Sequence, residues 1–124
     1  MALHQTFSPP TVPGISLESQ IHTVDRLRQI RKADLHSGDL VFVKTLRSTY
    51  CIEFKASGRY EVSGGWFDQK GCSPMELGIT GCTWGGTAIK IDIVAACGLR
   101  LEFANRLLTS PIQEVTVFRR RGSQ

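Results

Sequence analysis

The sequence predicts a mainly β domain, a small antiparallel barrel or sandwich of seven or eight strands with one N-terminal helix packed on it. Three observations predict it. From Asp39 onward apolar residues alternate with polar ones, as in Val41 and Val43 or Ile89, Ile91 and Ile93. Gly, Asn and Ser punctuate these runs at short spacing. Before Asp39 the period is different: Leu17, Ile21, Val24, Leu27 and Ile30 recur every three or four positions, the stripe of a helix.

In chain order, residues 1–14 carry Pro9, Pro10 and Pro13, which remove backbone donors and predict an irregular arm. Residues 15–119 then form a single domain. Its helix runs from about 17 to 33, capped by Ser16, with Arg28, Arg31 and Lys32 near its negative pole and His36-Ser37-Gly38 ending it. The stripe packs on the sheet or serves another chain. A turn at Arg47-Ser48 sets Val43 opposite Ile52 and Val41 opposite Phe54, and a loop at Ser57-Gly58-Arg59 sets Phe54 opposite Val62 and Lys55 opposite Glu61. Leu77 and Ile79 mark a further short strand. The stretch Ala88–Leu108 reads as a hairpin in which Ile89, Ile91 and Ile93 answer Leu99, Leu101 and Phe103. One register pairs Asp92 with Arg100 and Lys90 with Glu102; a shifted loop sets Asp92 opposite Glu102, and the first is preferred on charge. Asn105-Arg106 is a tight turn, Pro111 marks an edge or bulge, and Val115 and Val117 share a face of the last strand. Residues 120–124 are a basic tail.

The net charge of +4 is unevenly spread. Residues 37–118 hold eight Lys/Arg and eight Asp/Glu, so the excess lies in the N-terminal third and in Arg119, Arg120 and Arg121. A neutral sheet makes nucleic acid an unlikely partner. The apolar run Ile93–Leu99 is far shorter than the ~20 residues that span a bilayer, and Met1–Gly14 lacks the basic start and apolar core of a secretion signal. The expectation is a cytoplasmic protein with no membrane contact. Cys51, Cys72, Cys82 and Cys97 contain no C-x-x-C pair, so reduced thiols are expected and neither metal nor cofactor.

SGGW at 63–66 and TWGG at 83–86 set a tryptophan against a double glycine twice. A ring covering bare strand backbone explains both without a ligand. The second motif lacks the Lys and the following helix of a phosphate loop. His4, His22 and His36 all precede the sheet, so none is placed as a base for a sheet cysteine, and Asp92 and Glu102 alternate with cations as a surface ladder does. The reading leans away from an enzyme. It points to a non-catalytic β-barrel module binding a protein partner or small ligand, with Tyr60, Trp66, Asp68 and Trp84 as ligand-binding candidates and self-association through a strand edge as a further route. The alternative is a nucleic-acid-binding small barrel in which aromatic loops stack on bases and Arg47, Arg59, Lys70, Arg119, Arg120 and Arg121 meet phosphates.

Between residues 38 and 112 several features occur together: Gly38-Asp39 entering a strand that reaches Thr45, Ser48-Thr49-Tyr50, Gly64-Gly65 with Phe67, Gly85-Gly86 with Lys90, Gly98 with Arg100, Glu102 and Phe103, and Leu108-Thr109-Ser110-Pro111-Ile112. In these the chain resembles a group of short uncharacterised bacterial proteins, a domain of unknown function. Trp84 stands where a phenylalanine is expected in that group. The resemblance implies a fold and no mechanism.

Overall fold

A computed structural model of the chain describes residues 21–85 and 88–120. The described chain is mainly β, with eleven strands in three antiparallel sheets. The six-stranded sheet has the order β1-β11-β3-β4-β5-β6, built from β1 (Ile21–Leu27), β3 (Leu40–Thr45), β4 (Thr49–Ala56), β5 (Arg59–Gly64), β6 (Met75–Leu77) and β11 (Ile112–Arg120). A three-stranded sheet has the order β10-β7-β8, from β7 (Ile79–Thr83), β8 (Ile89–Lys90) and β10 (Arg100–Phe103). A two-stranded sheet joins β2 (Gln29–Arg31) to β9 (Ile93–Ala96). The pairings do not close into a barrel. The two small sheets instead share one core with the large one: Val41, Val43, Ile52, Val62, Val115 and Val117 of the large sheet bury in one cluster with Ile30, Ile79, Cys82, Val94, Leu101 and Phe103 of the small ones. A smaller cluster gathers Leu40, Phe42 and Phe118, with Phe42 and Phe118 tilted at 4.9 Å between ring centroids.

The predicted N-terminal helix is absent over its described part. Residues 21–27 and 29–31 are strands, and Lys32–Asp34 is a single 3₁₀ turn; residues 1–20, which hold the predicted arm and the start of that helix, lie outside the described chain. The nine-residue β11 explains the outcome. Its backbone needs a partner on each side, and β1 supplies one along Val24↔Phe118 to Leu27↔Val115 while β3 supplies the other. β-Branched Ile21, Thr23 and Val24 suit this role, and ladder formation overrides the helical spacing. The stripe does not bury as a unit: Val24 is 52% exposed, whereas Ile30 is buried. Lys32 then fastens the 3₁₀ turn, its Nζ donating to the Ile79 carbonyl at 2.7 Å and its backbone N–H to Asp92 O at 2.9 Å.

In the large sheet the predicted hairpins form with slipped registers. Val41 faces Ile52 and Val43 faces Tyr50, a slip of two that keeps every side chain on its predicted face. The turn closes earlier because the Thr45 hydroxyl accepts from the N–H groups of Arg47 (3.3 Å) and Ser48 (3.0 Å). The next turn is tighter than predicted, with a bulge between Phe54 and Ala56, so Phe54 faces Tyr60 and Glu53 faces Glu61. Lys55 Nζ relieves that like-charge pair at 3.7 Å from Glu53 and 4.0 Å from Glu61. The predicted hairpin of Ile89–Ile93 with Leu99–Phe103 does not form. A turn at Ile91-Asp92 splits its first strand, β9 pairs with β2, and β10 pairs with β7 along Arg100↔Thr83 to Phe103↔Ile79.

Candidate functional site

Two connections from opposite layers meet beside β4. The β3–β4 turn is held to the β10–β11 connection by two backbone donors, Leu46 N–H to Pro111 O at 3.0 Å and Arg47 N–H to Ser110 Oγ at 3.1 Å. The second connection is self-supporting. Arg106 carries the positive φ of its turn at 72°, Asn105 Oδ1 accepts from Leu107 N–H, and Thr109 Oγ1 accepts from Leu101 N–H while donating to Ser110 O. The predicted tight turn at Asn105-Arg106 forms, with the asparagine bracing it from one position before the left-handed residue.

A third wall comes from Gly64-Gly65-Trp66. Gly64 and Gly65 have φ of 94° and 44°, and a Cβ on Gly65 would lie 2.5 Å from the Tyr50 ring. A ring therefore does cover a bare glycine, but it is Tyr50 and not a tryptophan. The positive φ values let the chain turn into the short helix α1 (Gly65–Gln69), whose first carboxylate, Asp68, accepts from Gly64 N–H at 3.0 Å. Phe67 goes inward and meets Tyr50, Trp66 and Phe103 edge-on, at centroid distances of 6.1, 5.2 and 5.1 Å.

Above this aromatic floor lies a cleft of about 510 Å³, lined by Tyr50, Trp66 and Gln69 on one side, by Thr45–Ser48 on another, and by Arg100 and Leu107–Pro111 opposite. Arg100 is half-buried. Its Nη1 donates to Thr109 O at 3.3 Å, and its Nε and Cδ lie 3.6 and 3.7 Å from the place where a Cβ on Gly85 would stand. Among the described residues neither Arg100 nor Arg47 has an ion-pair partner, and no carboxylate, histidine or cysteine lines the cleft. The acidic partner that the sequence assigned to Arg100 was Asp92, through a hairpin that does not form.

Of the sequence candidates, the structure brings Trp66 and Arg47 to this cleft. Tyr60 is 1% exposed and packs on Phe54, where its burial pushes the phenol pKa up. Asp68 is exposed and serves the turn. Trp84 is 66% exposed, with Lys90 Nζ 5.2 Å from its ring centroid. Arg59 pairs with Glu76 at 2.7 Å, Lys70 is exposed at the end of α1, and Arg121 lies outside the described residues. Arg119 is turned inward: its Nη1 donates to Asp34 O at 2.7 Å and sits 3.5 Å from Asp39 Oδ2, with its Nε 3.6 Å from Asp25. Arg120 is the last residue of β11 and not the start of a tail. Sequence reasoning missed Tyr50, Arg100 and Ser110 as members of one site. Their one signal was that Ser48-Thr49-Tyr50, Arg100 and Leu108–Ile112 belong to the stretches that carry the resemblance.

The four cysteines are unbridged; Cys82 is buried and the others half-buried. Among the described residues no three His, Cys, Asp or Glu side chains gather as a metal site, and no helix is long and apolar enough to cross a membrane. No family model matches this chain, and comparison with curated proteins and with solved structures gives no match either.

Proposed function

We propose that this protein is a non-catalytic binding module whose cleft between the β3–β4 turn, α1 and the β10–β11 connection takes a small ligand. The observation that carries this reading is the cleft itself. At about 510 Å³ it has the size of a small-molecule site, with an aromatic wall at Trp66, apolar side chains at Leu107 and Leu108, and several polar groups converging from three elements. The lining supports binding and not turnover, because Ser48 and Ser110 have no base beside them among the lining groups. Anchoring on both layers makes the cleft a stable feature: its turns are tied to each other by backbone donors, and its aromatic side chains Tyr50 and Trp66 pack on the buried ring of Phe67.

The test is a fragment screen read by amide chemical shifts on the ¹⁵N-labelled full chain. Hits are expected to move the amides of Leu46, Ser48, Trp66, Arg100 and Thr109 together. Hits that shift only residues far from the cleft, such as Trp84 and Lys90, or the absence of any hit, would overturn the reading.

A further inference from the structure

Resting on the cleft as the ligand site, we infer that its ligand is a small organic oxyanion, a carboxylate or phosphate on an apolar body, and that Arg100 is the residue that anchors it. The two guanidinium groups and the lack of any lining carboxylate decide the charge, and the free donors suit an oxyanion. Arg100 has spent one of its five N–H groups, on Thr109 O, and Arg47 has spent none of its side-chain donors among the described residues. The Ser110 oxygen accepts from Arg47 N–H and the Tyr50 oxygen from Trp66 N–H at 3.5 Å, so each keeps its own hydrogen to donate. Several of the backbone acceptors around the cleft are already engaged. The Thr109 carbonyl takes Arg100, the Ser110 carbonyl takes Thr109 Oγ1, the Ser48 carbonyl takes Thr45 twice, and the Pro111 carbonyl takes Leu46. Both serine hydroxyls and the tyrosine can serve as donors, and Gln69 carries the one side-chain amide oxygen in the lining.

A cleft with two guanidinium groups and no carboxylate attracts negative charge, and half-burying Arg100 without an ion-pair partner among the described residues carries a desolvation cost that a bound anion offsets. Arg100 suits the anchoring role because its guanidinium is already oriented by Thr109 O. Arg47 is exposed at the rim, so its contribution is long-range attraction that salt screens. The rest of the ligand is apolar, since Trp66 and Leu107 line the interior and Leu46 and Leu108 flank the mouth at 64% and 42% exposure.

The experiment titrates the intact protein with six probes, following the same amides: benzoate, phenyl phosphate, benzamide, benzylamine, acetate and inorganic phosphate. Benzoate or phenyl phosphate is expected to bind at least tenfold tighter than benzamide, benzylamine not at all, and acetate and inorganic phosphate more weakly than their aromatic counterparts. Whichever of benzoate and phenyl phosphate binds tighter identifies the head group. Arg100→Gln should weaken the anions at least tenfold and leave benzamide unchanged, Arg100→Lys should restore part of the loss, and Arg47→Gln should have a smaller effect that disappears in high salt. Should Arg100→Gln fail to fold, the wild-type ranking of charged against neutral probes and its salt dependence decide the matter alone. Benzamide or benzylamine binding in the cleft as tightly as benzoate overturns the inference while leaving the cleft as a ligand site. Silence of the cleft amides to all six probes removes both.

Discussion

The six-stranded sheet and the pair of small sheets packed on it are built on different terms. In the large sheet, β3 to β6 pair with their neighbours in sequence, β3–β4 and β4–β5 through tight turns and β5–β6 across α1, so these hairpins are specified locally. In the small sheets every ladder but β7–β8 joins strands distant in sequence, β10 to β7 and β2 to β9, and β8 contributes two residues. Local pattern therefore protects β3 to β6 against error, while the small sheets depend on long-range pairing; each region also has a close approach of bare backbone, at Gly64 against the Thr49 carbonyl and at Gly81 against the Lys90 carbonyl. The cleft lies where the two regions meet, taking its hydroxyl-rich turn from the first and Arg100 from the second.

The largest effect should come from such a close approach in the small sheets, where no local hairpin restores the β10–β7 pairing once it is lost. Gly81 in β7 has φ of 151°, and a Cβ there would collide with the Lys90 carbonyl across the β7–β8 ladder. Backbone cannot move aside as a flexible side chain can. Gly81→Val is expected to cost on the order of 4 kcal/mol or more and to leave little folded protein, as read by thermal melting and amide dispersion. A change of Gly58 to Ala, in the β4–β5 turn of the large sheet, meets no atom within 4 Å and costs only what its φ of 74° imposes, about 1 kcal/mol. Similar losses at the two positions would remove the contrast.

Next in size is the aromatic floor shared by both regions. Phe67 is fully buried, and Phe67→Ala should destabilise by about 3–5 kcal/mol through lost burial and the cavity left behind. Because Trp66 and Tyr50 both rest on that ring, the substitution should also broaden the amide signals around the cleft. Sharp, unmoved cleft signals in a destabilised variant would show that the site does not depend on its floor.

How much of this was legible in the sequence follows the range of the pairing, local or distant, within either region. Alternation at Val41, Val43, Ile52 and Val62 placed their faces correctly, and even a register slipped by two preserved them because the strand period is two. The 21–31 segment was not legible. Its apolar spacing fits a helix as well as a strand, and the deciding factor, the open edge of β11 about ninety residues away, has no local trace. The cleft was half legible: Trp66 and Arg47 were candidates, but Arg100 looked like a surface cation because local charge matching gave it Asp92.

A smaller effect probes the ion cluster that ties β11 to the Asp34–Asp39 segment. Arg119 reaches Asp39, which is 1% exposed, and the Asp34 carbonyl. Arg119→Gln should cost about 1–3 kcal/mol, the scale of hydrogen bonds to charged groups, and should lower the urea midpoint without changing its slope. An unchanged midpoint would return Arg119 to the role of a solvated cation, and with it the case for a basic nucleic-acid surface.

The smallest expected effect is an alkaline weakening spread across both regions. Burial pushes the thiols of Cys51 in β4 and Cys82 in β7 up to about 12 from an ordinary 9.0, and raises the Tyr60 phenol as well. In each case the folded protein holds a proton that the unfolded chain releases, so the stabilisation is complete below the unfolded value and is lost as pH climbs toward the folded one. Lys32 works in the opposite sense, since burial lowers its pKa and its stabilisation grows as pH rises past the folded value. Three groups against one give a net decline between pH 9 and 12. Urea midpoints measured at intervals across that range should fall in the wild type. The double variant Cys51→Ala, Cys82→Ala should start lower, because packing is lost, yet fall less steeply, because two of the three responsible protons are gone. Equal slopes in the two proteins would assign the alkaline transition to Tyr60 alone, which Tyr60→Phe would then abolish.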